Sequence, residues 1–116
     1  MSQLKRSLIV GLLVVLAVGL LPGLATAKIM IRASGQNTWN PWRTVVGVHP
    51  GETATVRWKN ASGRTHTVTA VGNKWEKNTA LSNNQFTTHT FTTRGTYRFK
   101  CTIHVGMLGR VVVTKY

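Results

Sequence analysis

The chain has 116 residues, of which 15 are lysine or arginine and only 2 are acidic, so its net charge is +13. That length allows one domain at most. The chain contains no aspartate and one cysteine, which excludes a Ser-His-Asp catalytic set and an internal disulfide. The positive charge favours an acidic partner, an anionic membrane surface or nucleic acid.

Residues 1–27 are typical of a secretory signal peptide. Lys5 and Arg6 give a positive start, residues 8–21 form an apolar run, and small residues follow at the expected cleavage point. The alternative is an uncleaved membrane anchor, but the run is shorter than the roughly 20 residues that a span needs. We therefore expect residues 28–116 to form a domain exported to the periplasm or the exterior. Loss of Lys5 and Arg6 leaves that domain a net charge of about +11.

Short stretches rich in β-branched and aromatic residues predict strands along the remaining chain. They cover residues 28–33, 45–48, 53–58, 66–71, 86–91, 95–101 and 109–115. Turn-forming residues separate these stretches, and we expect loops at residues 34–43 and 72–85. The pattern predicts an all-β fold, either a sandwich or a barrel.

The large aromatic residues are predicted to be structural. Trp39, Trp42 and Trp75 fall in the expected loops and would cap the fold, with contact to a partner as the less favoured alternative, whereas Trp58 and Tyr97 fall in strands. Tyr97 is also expected to hydrogen-bond nearby backbone at a corner between strands.

The segment from Cys101 to Met107 joins the last two predicted strands in a Cys-x2-His-x2-Met pattern. A thiolate, an imidazole and a thioether together suit copper, although cysteine and methionine alone often only fill a core. His66 opens a strand and offers a second imidazole, whereas His49 and His89 are expected at the surface. A lone thiol in an exported chain also needs protection from oxidation, which metal ligation provides.

The chain resembles the cupredoxins, the family of plastocyanin, pseudoazurin and amicyanin. The resemblance is carried by residues 48–60, 64–68 and 91–101, and the ligand-loop spacing is most similar to that of amicyanin. It implies a Greek-key β-sandwich of about seven to eight strands with one type 1 (blue) copper site at one end. The implied copper ligands are His66, Cys101, His104 and, in the axial position, Met107.

Two positions depart from the family pattern. Ile103 stands where proline is frequent, and Thr67 stands where asparagine usually braces the cysteine loop. A threonine hydroxyl can still act there as a hydrogen-bond donor beyond the ligands. The departures bear on the reduction potential and on the rigidity of the loop.

The expected function is that of a soluble, monomeric one-electron carrier outside the cytoplasm, cycling Cu(I)/Cu(II). His104 would provide the exit route, with Val105, Gly106 and Leu108 as a small apolar docking surface. The alternative is a copper-handling protein that buffers or delivers the ion. Four histidines and one cysteine cannot build a further copper centre, so we expect no enzyme.

The expected partners are redox proteins with acidic docking surfaces, because the exported domain is strongly basic. Nucleic acid is not expected, since the basic residues form no run in the sequence. Membrane contact is expected only through a retained signal segment or by weak surface attraction.

Overall fold

The computed structural model describes residues 26–116, which form nine strands. The strands are β1 (Thr26–Ala33), β2 (Trp39–Asn40), β3 (Arg43–Val48), β4 (Thr53–Asn60), β5 (His66–Val71), β6 (Asn78–Leu81), β7 (Phe86–Phe91), β8 (Gly95–Lys100) and β9 (Leu108–Lys115). This part of the chain includes no helix long and apolar enough to cross a membrane. The predicted signal peptide lies almost entirely outside the described residues.

The nine strands form two sheets. The four-stranded sheet has the order β2-β1-β4-β7, and the five-stranded sheet has the order β3-β9-β8-β5-β6. Strand β1 runs parallel to β4 and β3 runs parallel to β9, whereas the other pairs are antiparallel. The predicted all-β sandwich is confirmed, with nine strands in place of the expected seven to eight.

The core between the sheets follows from the alternation of side chains along each strand. In β4, every second residue from Ala54 onward is buried, and Trp58 is completely so. The Trp58 ring centroid lies 5.4 Å from that of Phe99 and 6.0 Å from that of Trp75. Burial of a large apolar side chain contributes roughly 1.5–3 kcal/mol, so this aromatic centre is a major source of stability.

Both segments that were expected to be loops contain a short strand. Strand β2, only two residues long, pairs with β1 through Arg32 and Ala33. Strand β6 pairs with β5 from His66↔Leu81 to Thr69↔Asn78. Neither has the length or the alternation that marks a strand in sequence, and each lies at the edge of its sheet, where it pairs with one neighbour only. The loop predictions were wrong at these positions.

The tryptophans behave differently from one another. Trp39 and Trp75 are both buried core residues. Trp75 lies in the predicted loop, between β5 and β6, whereas Trp39 lies in strand β2. Trp42 is 58% exposed. Tyr97 is buried, and its hydroxyl donates to the carbonyl of Thr93, which confirms the predicted corner.

Candidate metal centre

The ligand loop is a compact turn between β8 and β9. The Cys101 amide donates to the Met107 carbonyl over 2.9 Å, and the Met107 amide donates to the His104 carbonyl over 3.3 Å. Gly106 has φ +84°, a conformation that residues with a Cβ rarely adopt, so glycine suits this position. The first of these bonds closes the loop by joining its two end residues, Cys101 and Met107, both of which have buried side chains.

His66 approaches the loop from β5, the strand next to β8. It is completely buried, and its Nδ1 lies 3.9 Å from the sulfur of Cys101. The Nδ1 of His104 lies 3.7 Å from the same sulfur and 3.1 Å from the Nδ1 of His66. The three ligand atoms all lie within 4.8 Å of one another, a spacing that could hold one metal ion. The fold therefore brings His66, which is 35 residues away in sequence, beside Cys101 and His104 of the loop, and Met107 is buried at the end of the same loop.

A hydrogen bond to Ser62 determines which nitrogen of His66 faces the centre. The Ser62 hydroxyl lies 2.7 Å from His66 Nε2 and 2.7 Å from Asn60 Oδ1. An amide oxygen only accepts, so the hydroxyl donates to Asn60 and accepts a hydrogen bond from the Nε2–H group of His66. This arrangement leaves the Nδ1 lone pair free for a metal.

Asn60 anchors this small network. It is a buried polar residue whose side-chain amide donates to the carbonyls of Leu81 and Arg64, over 2.8 and 2.6 Å. No role at the site was predicted for Asn60 or Ser62 from the sequence, so both were missed as supports of it. Their types were the available signal, since Asn and Ser often satisfy nearby polar groups.

The electrostatic setting favours the neutral form of His66. Burial lowers the pKa of His66, and the positive charges of His104 and Arg64 lower it further. A metal binds the neutral imidazole, so the proton competes with it only at more acidic pH than for an exposed histidine.

Thr67 braces the cysteine from the neighbouring strand. Its amide donates to the Cys101 sulfur over 3.3 Å, and its hydroxyl accepts from the Thr102 amide over 2.8 Å. The predicted supporting role of Thr67 is therefore present in another form. The Thr67 hydroxyl accepts a hydrogen bond from the loop backbone, whereas the donor to the Cys101 sulfur is the Thr67 main-chain amide. Such a bond helps to fix the position of the sulfur, as hydrogen-bond partners of metal ligands do.

The two other histidines lie apart from these donors. His49 is exposed and contacts Glu52, as expected of a surface residue. His89 is half-buried and packs against Trp75 and Phe91, so it is less exposed than expected.

Comparison with known proteins identifies the class. Residues 25–114 match the model of the family described as "Copper binding proteins, plastocyanin/azurin family". The match covers most of the chain, so the protein belongs to this copper-binding family. A comparison with curated protein sequences found no match.

Solved structures of cupredoxins resemble the chain. A reduced amicyanin variant shares 29% identity over 74% of this chain and 81% of its own, with a TM-score of 0.63. A Cu(I) amicyanin variant shares 29% identity over 78% of this chain and 85% of its own, with a TM-score of 0.65. A purple cupredoxin from Nitrosopumilus maritimus, at 19% identity, covers 74% of this chain and 99% of its own with a TM-score of 0.64, and so supports the fold alone.

The donor set fits the metal that the family binds. A buried thiol and two imidazoles, with a buried thioether on the same loop, are soft and borderline ligands of the kind that copper prefers. The predicted cofactor, one copper ion, is confirmed by the family and this arrangement together.

Proposed function

We propose that this copper protein is a soluble one-electron carrier that works outside the cytoplasm. Copper would be held by His66, Cys101 and His104, with Met107 as the axial ligand. The observation that carries the proposal is the convergence of the two Nδ1 atoms and the Cys101 sulfur at the ligand loop. Copper in such a site supplies a one-electron Cu(I)/Cu(II) couple.

The surroundings of the ligands support electron transfer in preference to metal release. His66 is fully buried, and Cys101 and Met107 are almost so. A hydrogen bond from His66 to Ser62 and one from Thr67 to Cys101 hold these two ligands from outside the ligand set. Ligands held in this way move little when the charge of the site changes, which favours repeated redox cycling.

Electron exchange would take place at the ligand loop. His104 is half-buried, and around it Val105 is fully exposed while Ile103 and Leu108 are 53% and 59% exposed. Single exposed apolar residues are ordinary, but three around one ligand form a contact surface for a partner. A small apolar contact suits weak, short-lived complexes.

The same proposal includes the partner class and the location. A domain of about +11 would be steered toward acidic redox proteins, with a rate that falls as salt rises. We place the protein in the periplasm or outside the cell, as a monomer with no catalytic role and no nucleic-acid partner. The single thiol and the apolar segment before residue 28 support export.

The visible absorption spectrum tests this function directly. Addition of one equivalent of Cu(II) to the purified protein should give an intense blue band that ascorbate bleaches. Cys101→Ser should abolish the band because the absorption arises from the copper–thiolate bond, while His49→Gln, at an exposed site, should retain it. A wild-type protein that binds Cu(II) with only a pale band would contradict the proposal.

The copper-handling alternative predicts release. A carrier should retain copper through many cycles of ascorbate and oxidant in the presence of a chelator. Loss of the ion during such cycles would favour buffering or delivery of copper instead.

A further inference from the structure

Three arginines lie side by side across the outer face of the five-stranded sheet. Arg43 of β3 is in register with Arg110 of β9, and Arg110 is in register with Arg98 of β8. Neighbouring strands are about 4.8 Å apart, so these three residues form one continuous line across the strands, called here the arginine row. Like charges directly opposite each other destabilise a sheet.

No acidic side chain offsets the arginine row. Within residues 26–116, the structure contains one ion pair, which joins His49 and Glu52. The Nε of Arg110 is buried and has no hydrogen-bond partner among these residues. The row is therefore a concentration of positive charge whose repulsion a bound anionic group would relieve.

An apolar hollow adjoins the arginine row. Its volume is about 430 Å³, and its walls include Trp42, Val71 and Leu108 together with Arg98 and Arg110. The indole of Trp42 is 58% exposed, and the Arg110 guanidinium carbon lies 5.3 Å from its ring centroid. Exposed tryptophan and arginine around a pocket are the residues that dominate many protein–protein contacts.

The position of this surface links it to the copper loop. Arg98 is on the strand that leads into Cys101, and Leu108 directly follows Met107 at the start of β9. The opposite sheet also bears cations, including Lys28 and Arg32, but none of the predicted ligands belongs to its strands. A redox partner needs to be near the metal, so the five-stranded face is the one that suits it.

We propose that the arginine row and its hollow form a lateral docking site for an acidic protein partner, which inserts an apolar side chain beside Trp42. The site extends the contact around His104 down one side of the sandwich, and so gives the complex an orientation as well as an attraction. A concave surface with an aromatic wall fits a protruding side chain of a protein better than a flat lipid headgroup layer. This inference rests on the proposed carrier function, because it assigns the partner of that same site.

Peptide binding tests the proposal without any redox readout. The probe is a synthetic peptide of glutamates around a central phenylalanine, compared with the same peptide carrying glycine in place of phenylalanine. Titration into the ¹⁵N-labelled protein at low salt should shift amides of β8, β9 and Trp42, and the phenylalanine peptide should bind more tightly. Trp42→Ser should remove that preference.

Charge-matched variants separate this site from general attraction to a basic protein. Arg43→Gln/Arg98→Gln/Arg110→Gln should weaken peptide binding roughly tenfold, since three partly exposed charge contacts are lost. Lys28→Gln/Arg32→Gln/Arg94→Gln removes the same charge from exposed positions elsewhere and should weaken binding much less. Because Arg110 is half-buried, Arg43→Gln/Arg98→Gln serves as a second variant that leaves its packing intact.

Three outcomes would overturn the lateral docking site. Equal losses in the two triple variants, or shifts centred on β1 and β4, would mean attraction without a site. Binding to vesicles of phosphatidylcholine and phosphatidylserine that depends on the arginine row, with no preference between the peptides, would assign the row to a membrane. The blue band, measured on the same variants, is independent of all these results, so failure of the carrier function is distinguishable from failure of the docking site.

Discussion

The amide of Thr67 donates a hydrogen bond to the sulfur of Cys101 over 3.3 Å, from a strand that is 34 residues away in sequence. The Thr67 side chain accepts in turn from the Thr102 amide over 2.8 Å. One residue on β5 thus supports the copper cysteine with its main chain and the following residue with its side chain. The hydrogen bond to the cysteine sulfur comes from the main chain, so any residue with an amide hydrogen could form it at this position. The hydrogen bond from the Thr102 amide requires the hydroxyl of Thr67.

Replacement of Thr67 by valine should separate these two contacts. Thr67→Val keeps the shape and the amide but leaves the Thr102 amide without its acceptor, at a cost of about 1 kcal/mol. The melting temperature should fall by roughly 4–8 °C, while the blue band persists. Thr67→Ser retains the hydroxyl and is the control. Equal melting temperatures for the two variants would show that the side-chain bond contributes nothing.

Removal of the Ser62 hydroxyl should weaken copper binding. In Ser62→Ala, Nε2 of the buried His66 loses its acceptor, so the tautomer with Nδ1 free is no longer favoured. Partners of this kind typically change metal affinity by 10–100-fold, and we expect about tenfold. Competition with a Cu(I) chelator measures the change. Ser82→Ala, at an exposed site, should behave as wild type, and an unchanged Ser62→Ala affinity would refute the role of the serine.

The ring of Phe99, a core residue, leaves no room for a side chain at Gly109. A Cβ at this position would lie 2.3 Å from Cζ of Phe99, a residue that is 1% exposed and cannot move aside freely. Gly109→Ala should therefore destabilise the protein by about 1–3 kcal/mol in chemical denaturation. Phe99→Leu in the same chain makes room for the methyl group. The double variant should then lose less stability than the sum of the two single changes, and simple additivity would contradict the predicted clash.

His89 should make the stability of the protein depend on pH. Burial lowers its pKa, and the nearby charge of Lys77 lowers it further, so below pH ~6.5 the unfolded chain binds more protons at this residue than the folded chain. The His89 contribution is fully present above pH ~6.5 and is lost as the pH falls toward the lower folded pKa.

His89→Gln should make the free energy of unfolding less dependent on pH below neutrality than it is in wild type, with copper bound in both. An NMR titration of the imidazole should place its midpoint below that of an exposed histidine. A midpoint at or above the ordinary value would show that packing against Trp75 does not disfavour the charged ring.

The sequence by itself determined the strands that have their own alternation and the loop donors that lie close together. Strand β5 has the predicted bounds, residues 66–71. The bounds of β8, which pairs with β5 and β9, and of β3, which pairs with β9, differ from the predicted ones by two residues at most. Cys101, His104 and Met107 could be identified because a single short turn holds all three. Such features depend on the period of a strand and on the spacing within a loop, which are local properties of the chain.

Tertiary structure alone decided everything that depends on which strands become neighbours. Strand β6 and the two-residue strand β2 are strands because they pair with β5 and β1, respectively. No local sequence pattern predicts this pairing. The bond from Ser62 to His66 follows from the way Asn60 is buried. The arginine row exists only through the registers of β3, β9 and β8, since its members are scattered in sequence. Sheet pairing joins distant residues through backbone hydrogen bonds, which every residue can form, so side-chain sequence specifies the partner only through the packing of the whole sandwich.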